Sequence, residues 1–470
     1  MEASARRWAR EEFGRAELGD ERRRSRLLSM AATALTRPAG RVSDVFVNEA
    51  EREGAYDWLE NASVDGDAVI AAMGAACARR CAEHRYVFVA VDGTSLTLED
   101  GTGGTKGFGA VGTYEAGARG LKAIDALAIS PNGVPLGCCA LRWWARTRKP
   151  KKRPSYERPT REKETQHWLD AIDDANERLA THAPSTRAWF QLDREGDSWN
   201  RLEHLAQSGR LFTVRSNRNR RVCTPRGRSF LRDVLMRQRP CGSYLLEVPA
   251  GAHRAERLAR MTIRTTVVTL ELCDKKTHRR WPRAVTAVWV RESGTTPRGE
   301  KPIEWLLLTN YVVDGADAAR LVVFGYAQRW RIEDFHKTWK SGVCDVESTQ
   351  LRARSHVIKW ATLLAAVAAR IERLKHLARE TPDAPASVEL SDAEIQATIL
   401  LKRRQKKRTE VVPDSMPTIA QATLWIAQLG GYTGKSSGGP PGSITIGRGL
   451  EDVRIAAAVI EALADGRKKR

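Results

Sequence analysis

The sequence predicts an α/β chain with a strand-rich centre between two helical regions, and three observations predict it. The apolar periodicity turns from helical to extended near residue 85 and returns to helical beyond Gly342. Two apolar runs of strand length, Tyr86–Val91 and Ala188–Leu192, each end in an acid, Asp92 and Asp193. Between them an Asn132-Gly133 pair, a strong hairpin signal, joins two further apolar segments.

The elements follow in order. Residues 1–70 alternate short helical patterns with loops and carry Gly19-Asp-Glu-Arg22-Arg23-Arg-Ser-Arg26 ahead of Leu27, Leu28 and Met30, which predicts a small helical domain with a basic, DNA-binding face. The first strand, Tyr86–Val91, is expected to stop at Asp92, before the polar Gly93-Thr94-Ser95. Leu121–Ile129 and Leu136–Trp144 complete an antiparallel meander, and a charged, Pro-containing loop spans 146–165. A helix over 164–181 leads to the fourth strand and Asp193, then to a short helix near 200–208 and a fifth strand, Leu211–Arg215. Residues 217–313 read as a β-rich insertion, with strands at Met261–Leu272, Ala284–Arg291 and Ile303–Leu308. Helices are expected at His356–Arg379, Ala393–Arg408, Ile419–Leu429 and Val453–Ala464, with a break at Lys435–Gly442. A three-strand meander, helix, acid-ended strand and late acidic helix is the order of a ribonuclease-H-like core. The expected domains are therefore 1–70, 71–345 with the insertion inside it, and 346–470.

Composition limits what such a chain can do. At 470 residues it is long enough for about three domains. Lys plus Arg number 78 against 57 Asp plus Glu, a net charge of +21, which favours a polyanionic partner such as nucleic acid. The positive charge is concentrated in runs at Lys149–Arg153, Arg218–Arg221, Lys402–Arg408 and Arg467–Arg470. Eight cysteines lack paired CxxC or Cys/His finger spacing, so a structural zinc site is not expected. No apolar run reaches transmembrane length and no signal-like segment follows Met1, so a soluble cytoplasmic protein is expected, associated with DNA and not with a membrane.

The richest stretch is Tyr326-Ala-Gln-Arg329-Trp-Arg-Ile-Glu333-Asp-Phe-His336-Lys337-Thr-Trp-Lys340. At about 100° per residue, Tyr326, Arg329, Glu333 and Lys340 share an arc of roughly 60° on one helix face. Ile332, Phe335 and Trp339 form a separate apolar stripe that docks the helix. In a ribonuclease-H-like arrangement Asp92 and Asp193 sit side by side and Glu333 approaches them. Three convergent carboxylates repel one another unless cations intervene, which implies hard divalent metal, Mg²⁺ above all, with two ions expected. Two such ions roughly 3.5–4 Å apart suit phosphodiester transfer. Arg215 is read as facing DNA or making a salt bridge, and His336 as a packed or solvated histidine. A carboxylate-pair glycosidase is disfavoured by the basic helix face and the net charge.

These residues resemble a family. Tyr326, Arg329, Glu333 and Lys340 meet the Tyr-x2-Arg-x3-Glu-x6-Lys pattern of the bacterial cut-and-paste DDE transposases of the insertion-sequence-4 group, transposon-5 type. Leu192-Asp193-Arg-Glu195, Asp92-Gly-Thr-Ser-Leu96, Leu18-Gly-Asp-Glu-Arg-Arg23, Glu53-Gly-Ala-Tyr-Asp-Trp58, Trp305-Leu-Leu-Leu-Thr309 and Ala427-Gln-Leu-Gly-Gly-Tyr432 are similar too, so the likeness runs nearly the whole chain. It implies Asp92, Asp193 and Glu333 as the metal-binding catalytic triad, on Mg²⁺ with Mn²⁺ substituting. It implies Tyr326, Arg329 and Lys340 as phosphate contacts; Arg215, Arg22 and Arg23 are read from the residues themselves as further DNA-binding candidates. Trp305 matches the residue that receives a flipped base. The implied partners are double-stranded DNA, both transposon ends and target, and a second copy in a synaptic homodimer paired through the C-terminal helices. Each subunit would cut the end gripped by the other: water nicks one strand, the 3′-hydroxyl makes a hairpin, water reopens it, and the 3′ end joins the target. Two departures stand out. Residues 433–452 do not reproduce the aromatic-rich loop of the type member, and neither Met30 nor Met73 falls where its shortened inhibitor starts. The alternatives are a ribonuclease-H-like endonuclease and a domesticated DNA-binding protein.

Overall fold

The computed structural model describes residues 4–99, 107–112, 117–146, 157–251, 254–274, 276–406, 410–435 and 439–468. The basic run at Lys149–Arg153 lies outside them, as do the ends of the runs at 402–408 and 467–470. Five helices open the chain: α1 Ser4–Phe13, α2 Glu21–Thr36, α3 Val42–Val45, α4 Glu49–Glu60 and α5 Gly66–Cys81. Asp20, Asn48 and Asp65 cap α2, α4 and α5 by accepting the N–H of Arg22, Glu51 and Asp67, which satisfies donors the helix itself leaves free. The α5 helix runs through the expected boundary at 70 and packs on the sheet that follows.

The centre of the chain builds one sheet. Its first half contains β1 Tyr86–Thr97, β2 Gly109–Ala110, β3 Arg119–Ile129, β4 Pro135–Trp144, α6 Thr165–His182, β5 Arg187–Leu192, α7 Trp199–Gln207 and β6 Leu211–Arg215. Strands β4, β3 and β1 are antiparallel neighbours, and β1, β5 and β6 are parallel, giving the order β4-β3-β1-β5-β6 of a ribonuclease-H-like core.

The β-rich segment carries β7 Arg221–Thr224, β8 Gly227–Phe230, α8 Leu231–Met236, β9 Gly242–Val248, β10 Arg257–Cys273, β11 Arg280–Glu292 and β12 Glu304–Thr309. It does not stand apart, because β12 pairs antiparallel with β6 through Leu307↔Arg215 and Thr309↔Thr213. The insertion thus covers what would otherwise be an open edge of the core, and the two form one 12-stranded sheet.

Alternation along β1 sorts the two faces. Val87, Val89 and Val91 enter the core under α5 to α8, whereas Phe88 and Ala90 enter the larger core shared with the N- and C-terminal helices. By the same period Asp92 turns to the second face. On β5, Trp189 also faces that side and Phe190 and Leu192 the other, so Asp193 follows Asp92. One expectation is corrected here: β1 does not end at Asp92 but continues to Thr97, because Gly93–Thr97 pair with Gly120–Ile124 of β3. What ends at Asp92 is the parallel pairing with β5.

After β12 come α9 Ala316–Gln328, α10 Trp330–Lys340, α11 Arg354–Glu380, α12 Asp392–Gln405, α13 Ile419–Leu429 and α14 Ser443–Lys468. The stripe Ile332, Phe335 and Trp339 is fully buried, as predicted from its spacing. The last helix begins ten residues before the expected Val453. Gly447 and Gly449 lie within it because a Cβ there would come within 2.5 Å of Val343 and 1.7 Å of the Ile426 carbonyl oxygen. No helix among the described residues is long and apolar enough to cross a membrane.

Candidate active site

Parallel pairing of β1 with β5 ends at Val91↔Leu192. Asp92 and Asp193 are the next residues on strands roughly 4.8 Å apart, turned to the face on which α10 packs. Asp193 accepts the Glu195 N–H at 2.7 Å, which fixes the turn after β5. Asp92 Oδ1 accepts its neighbour's Gly93 N–H at 2.8 Å, and Oδ2 accepts Arg329 Nη1 at 3.0 Å. Burial pushes the Asp92 carboxyl up to about 6, a rise that His336 and Arg329 oppose and Asp193 reinforces.

Arg329 bridges the acids. It is 5% exposed and donates through Nη2 to Glu333 Oε1 at 2.6 Å while holding Asp92 with Nη1. Burial alone would lower its pKa, but Glu333 and Asp92 keep the guanidinium above its ordinary value. Arg329 sits at the join of α9 and α10, where its N–H bonds to the Tyr326 carbonyl and its own carbonyl accepts the Ile332 N–H, both at three-residue spacing. The single helix face read from the sequence is therefore tightened by one 3₁₀-type step between Tyr326 and Glu333. Although Asp92, Asp193 and Glu333 face the same region, their oxygens do not all come within 4.8 Å of one another; Arg329 lies between two of them.

The surrounding residues divide into buried braces and accessible cations. Tyr326 is 1% exposed, and its phenol is raised by burial, with Arg329 and Arg215 opposing. Its ring meets Trp305 edge-on, with centroids 5.3 Å apart, and the Trp305 indole remains half-buried at the sheet surface. Arg215 donates to the Glu304 carbonyl at 3.2 Å. Lys340 lies 3.7 Å from Glu347, which accepts the Thr97 N–H and so joins α10 to the extended end of β1. Arg22 is exposed on α2 beside Arg6, Arg10 and Arg26 around a cavity of about 630 Å³. Arg23 turns inward and donates to the Leu18 and Ser63 carbonyls at 3.0 and 3.3 Å.

Two features escaped the sequence. Asp125 stands directly opposite Asp92 across β1 and β3, fully buried, with one oxygen 2.8 Å from His336 Nε2. Burial would neutralise His336, but Asp125, and behind it Asp92, raise its pKa. The i, i+3 spacing of Glu333 and His336 signalled a shared helix face; the strand register that supplies Asp125 was not readable from one sequence. The second is Trp330, 51% exposed, whose ring faces the Arg329 guanidinium at 5.2 Å.

Known families match both ends of the chain. Residues 5–64 match the transposase DNA-binding family, and residues 366–465 match the Tn5 transposase dimerisation domain. The first covers α1 to α4 with the Arg22 face, and the second covers α12, α13, most of α14 and half of α11. With a DNA-binding region before the acid-bearing sheet and a dimerisation region after it, the chain is similar at both ends to transposases, and over residues 366–465 to those of the Tn5 type.

Proposed function

We propose that this protein is a transposase that cuts and rejoins DNA by divalent-metal-dependent phosphoryl transfer at Asp92, Asp193 and Glu333, excising an element at its inverted-repeat ends through nicks and hairpins and inserting it into a target. The observation that carries the reading is the placement of Asp92 and Asp193 on adjoining strands facing the helix that bears Glu333. The donor set suits the ions. Three carboxylates supply only hard oxygen, and an Asp92 carboxyl pushed up to about 6 is short of positive charge in its buried setting. Bound Mg²⁺ or Mn²⁺ would activate a hydroxyl nucleophile and stabilise the leaving oxygen.

The chain's own groups do the rest. Arg329, now shared by Asp92 and Glu333, is the cation nearest the acids and is placed to move onto a scissile phosphate once they are otherwise neutralised. Lys340 offers a second charge on the same helix, and Tyr326 holds the Arg215 and Arg329 side chains rather than presenting an open surface. Trp305 offers a half-buried indole on which an unstacked base can rest, offsetting part of a cost of a few kcal/mol.

The flanking regions supply grip and pairing. Residues 1–70 present Arg22 with Arg6, Arg10 and Arg26 to the transposon end. Residues 346–470 pair two copies through α14, where Ile455, Val459 and Leu463 repeat at four-residue spacing and are 44%, 57% and 64% exposed.

The test is Glu333→Gln in a gel-shift and cleavage assay on DNA carrying the element's ends. Unchanged binding with cleavage abolished supports the triad. Cleavage retained in Mg²⁺ removes Glu333 from it, and binding without chemistry in the native protein would make the chain a DNA-binding relic.

A further inference from the structure

Behind the face of α10 that carries Glu333, the next residue, Asp334, meets Glu372 and His376 of α11. One ligand atom from each of the three lies within 4.8 Å of the other two. Glu372 and His376 are one helical turn apart and fully buried. Glu372 Oε1 accepts the hydroxyls of Thr338 and Ser443, each at 2.5 Å, which orients the carboxylate and leaves Oε2 turned inward. Neither nitrogen of the buried His376 ring has a hydrogen-bond partner, and Nε2 points at both acids, 3.6 Å from Asp334 Oδ2 and 3.6 Å from Glu372 Oε2. An unpartnered buried imidazole aimed between two carboxylates is costly unless something binds it.

Lys375 is the cation now at that place. Its ammonium donates to Asp334 Oδ2 at 3.1 Å and to Ser443 Oγ at 3.2 Å, and lies 2.5 Å from Glu372 Oε2 without a hydrogen-bonding angle. Two carboxylates against one ammonium leave a formal negative charge beside the His376 ring. A divalent ion in place of the ammonium would reverse that deficit and use the ring nitrogen, which a lysine cannot do.

We infer that Asp334, Glu372 and His376 form a second metal site, separate from Asp92, Asp193 and Glu333, that takes a transition-type divalent ion, with Zn²⁺ the best match, and clamps α10 to α11 and α14. The geometry agrees. Zinc bonds of about 2.0–2.2 Å put tetrahedral ligand atoms roughly 3.3–3.6 Å apart, which is the spacing of His376 from both acids. One imidazole with two carboxylates favours Zn²⁺, Co²⁺ or Mn²⁺ over the all-oxygen preference of Mg²⁺. A cavity of about 470 Å³ bordered by Asp334, Thr338, Lys375, Arg379, Tyr432 and Ser443 gives the ion an entry and the displaced lysine a place to go. The site is independent of the role proposed for Glu333.

The test is Zn²⁺ binding to the full-length protein by equilibrium dialysis, with Co²⁺ as a spectroscopic probe of tetrahedral nitrogen and oxygen ligation. One Zn²⁺ per chain is expected, unaltered in Glu333→Gln and weakened at least about tenfold in His376→Asn. Lys375→Met removes the competing ammonium and should tighten binding by a similar factor, which keeps the test decisive if His376→Asn misfolds. No stoichiometric Zn²⁺, or affinity and Co²⁺ spectrum unchanged by both substitutions, would overturn the site and leave a buried ion-pair network.

Discussion

Asp92→Asn should stabilise the metal-free protein, and by an amount that grows with pH. The Asp92 carboxyl is 17% exposed, and burial pushes it up to about 6 from its ordinary 3.8. A rise of about 2 units corresponds to roughly 3 kcal/mol between the protonated and ionised folded states. Because the folded state holds the proton more tightly, this contribution favours folding fully below about pH 4 and is lost as pH climbs through 6. Asparagine carries no such dependence. The gap between variant and wild type should therefore widen by about 1.4 kcal/mol between pH 5 and pH 8, where both proteins are tractable. Thermal unfolding of the two proteins in EDTA, at half-unit pH steps, measures it. A stability difference that does not change with pH, or an Asn variant that loses ground as pH rises, would refute the burial argument for this carboxylate. A gain in stability on losing the acid is the expected signature of a site arranged for function rather than for folding.

Three further outcomes are expected. Trp305→Ala should impair hairpin formation more than first-strand nicking, read by resolving both products on a denaturing gel; equal losses would make the indole a brace for Tyr326. Val459→Asp, on the exposed stripe of α14, should shift the sedimenting species from dimer to monomer by at least about tenfold in dissociation constant while leaving the helical signal unchanged. Gly447→Ala should cost about 1–3 kcal/mol, seen as a lower midpoint in denaturant, because the new methyl group would press on Val343 at 2.5 Å.

How far the sequence reaches differs by element. The apolar runs at 86–91, 188–192 and 211–215 became the central parallel strands because both their faces are buried, a condition that leaves a continuous signal. The end of β1 was misjudged because Gly93–Thr97 are polar where only one face is covered, and their pairing with β3 is long-range. The same blindness to distant pairing hid the join between the insertion and β6. The helix expected from Val453 starts at Ser443, and Gly447 and Gly449, poor helix formers by propensity, lie within it for close packing.

The acids that follow the apolar runs of β1 and β5 and the shared face of α10 were legible in the sequence, whereas the partners supplied by other elements were not. Asp125 comes from a neighbouring strand, and Glu372 and His376 come from a helix some forty residues beyond Asp334. The block of cations at 22–26 predicted a basic face, but not that Arg22 would stay open while Arg23 ties two loops together.

The central claim is that Asp92, Asp193 and Glu333 carry out metal-dependent DNA cleavage and joining. The most direct measurement is a time course in Mg²⁺ on DNA containing the repeats that flank this gene, with nicks, hairpins and joined products resolved for the native protein and for Asp92→Ala. Nicks followed by hairpins and then by strand transfer, all absent in the variant, are predicted. Stable binding with no products in either Mg²⁺ or Mn²⁺, or the same products from Asp92→Ala, would contradict it.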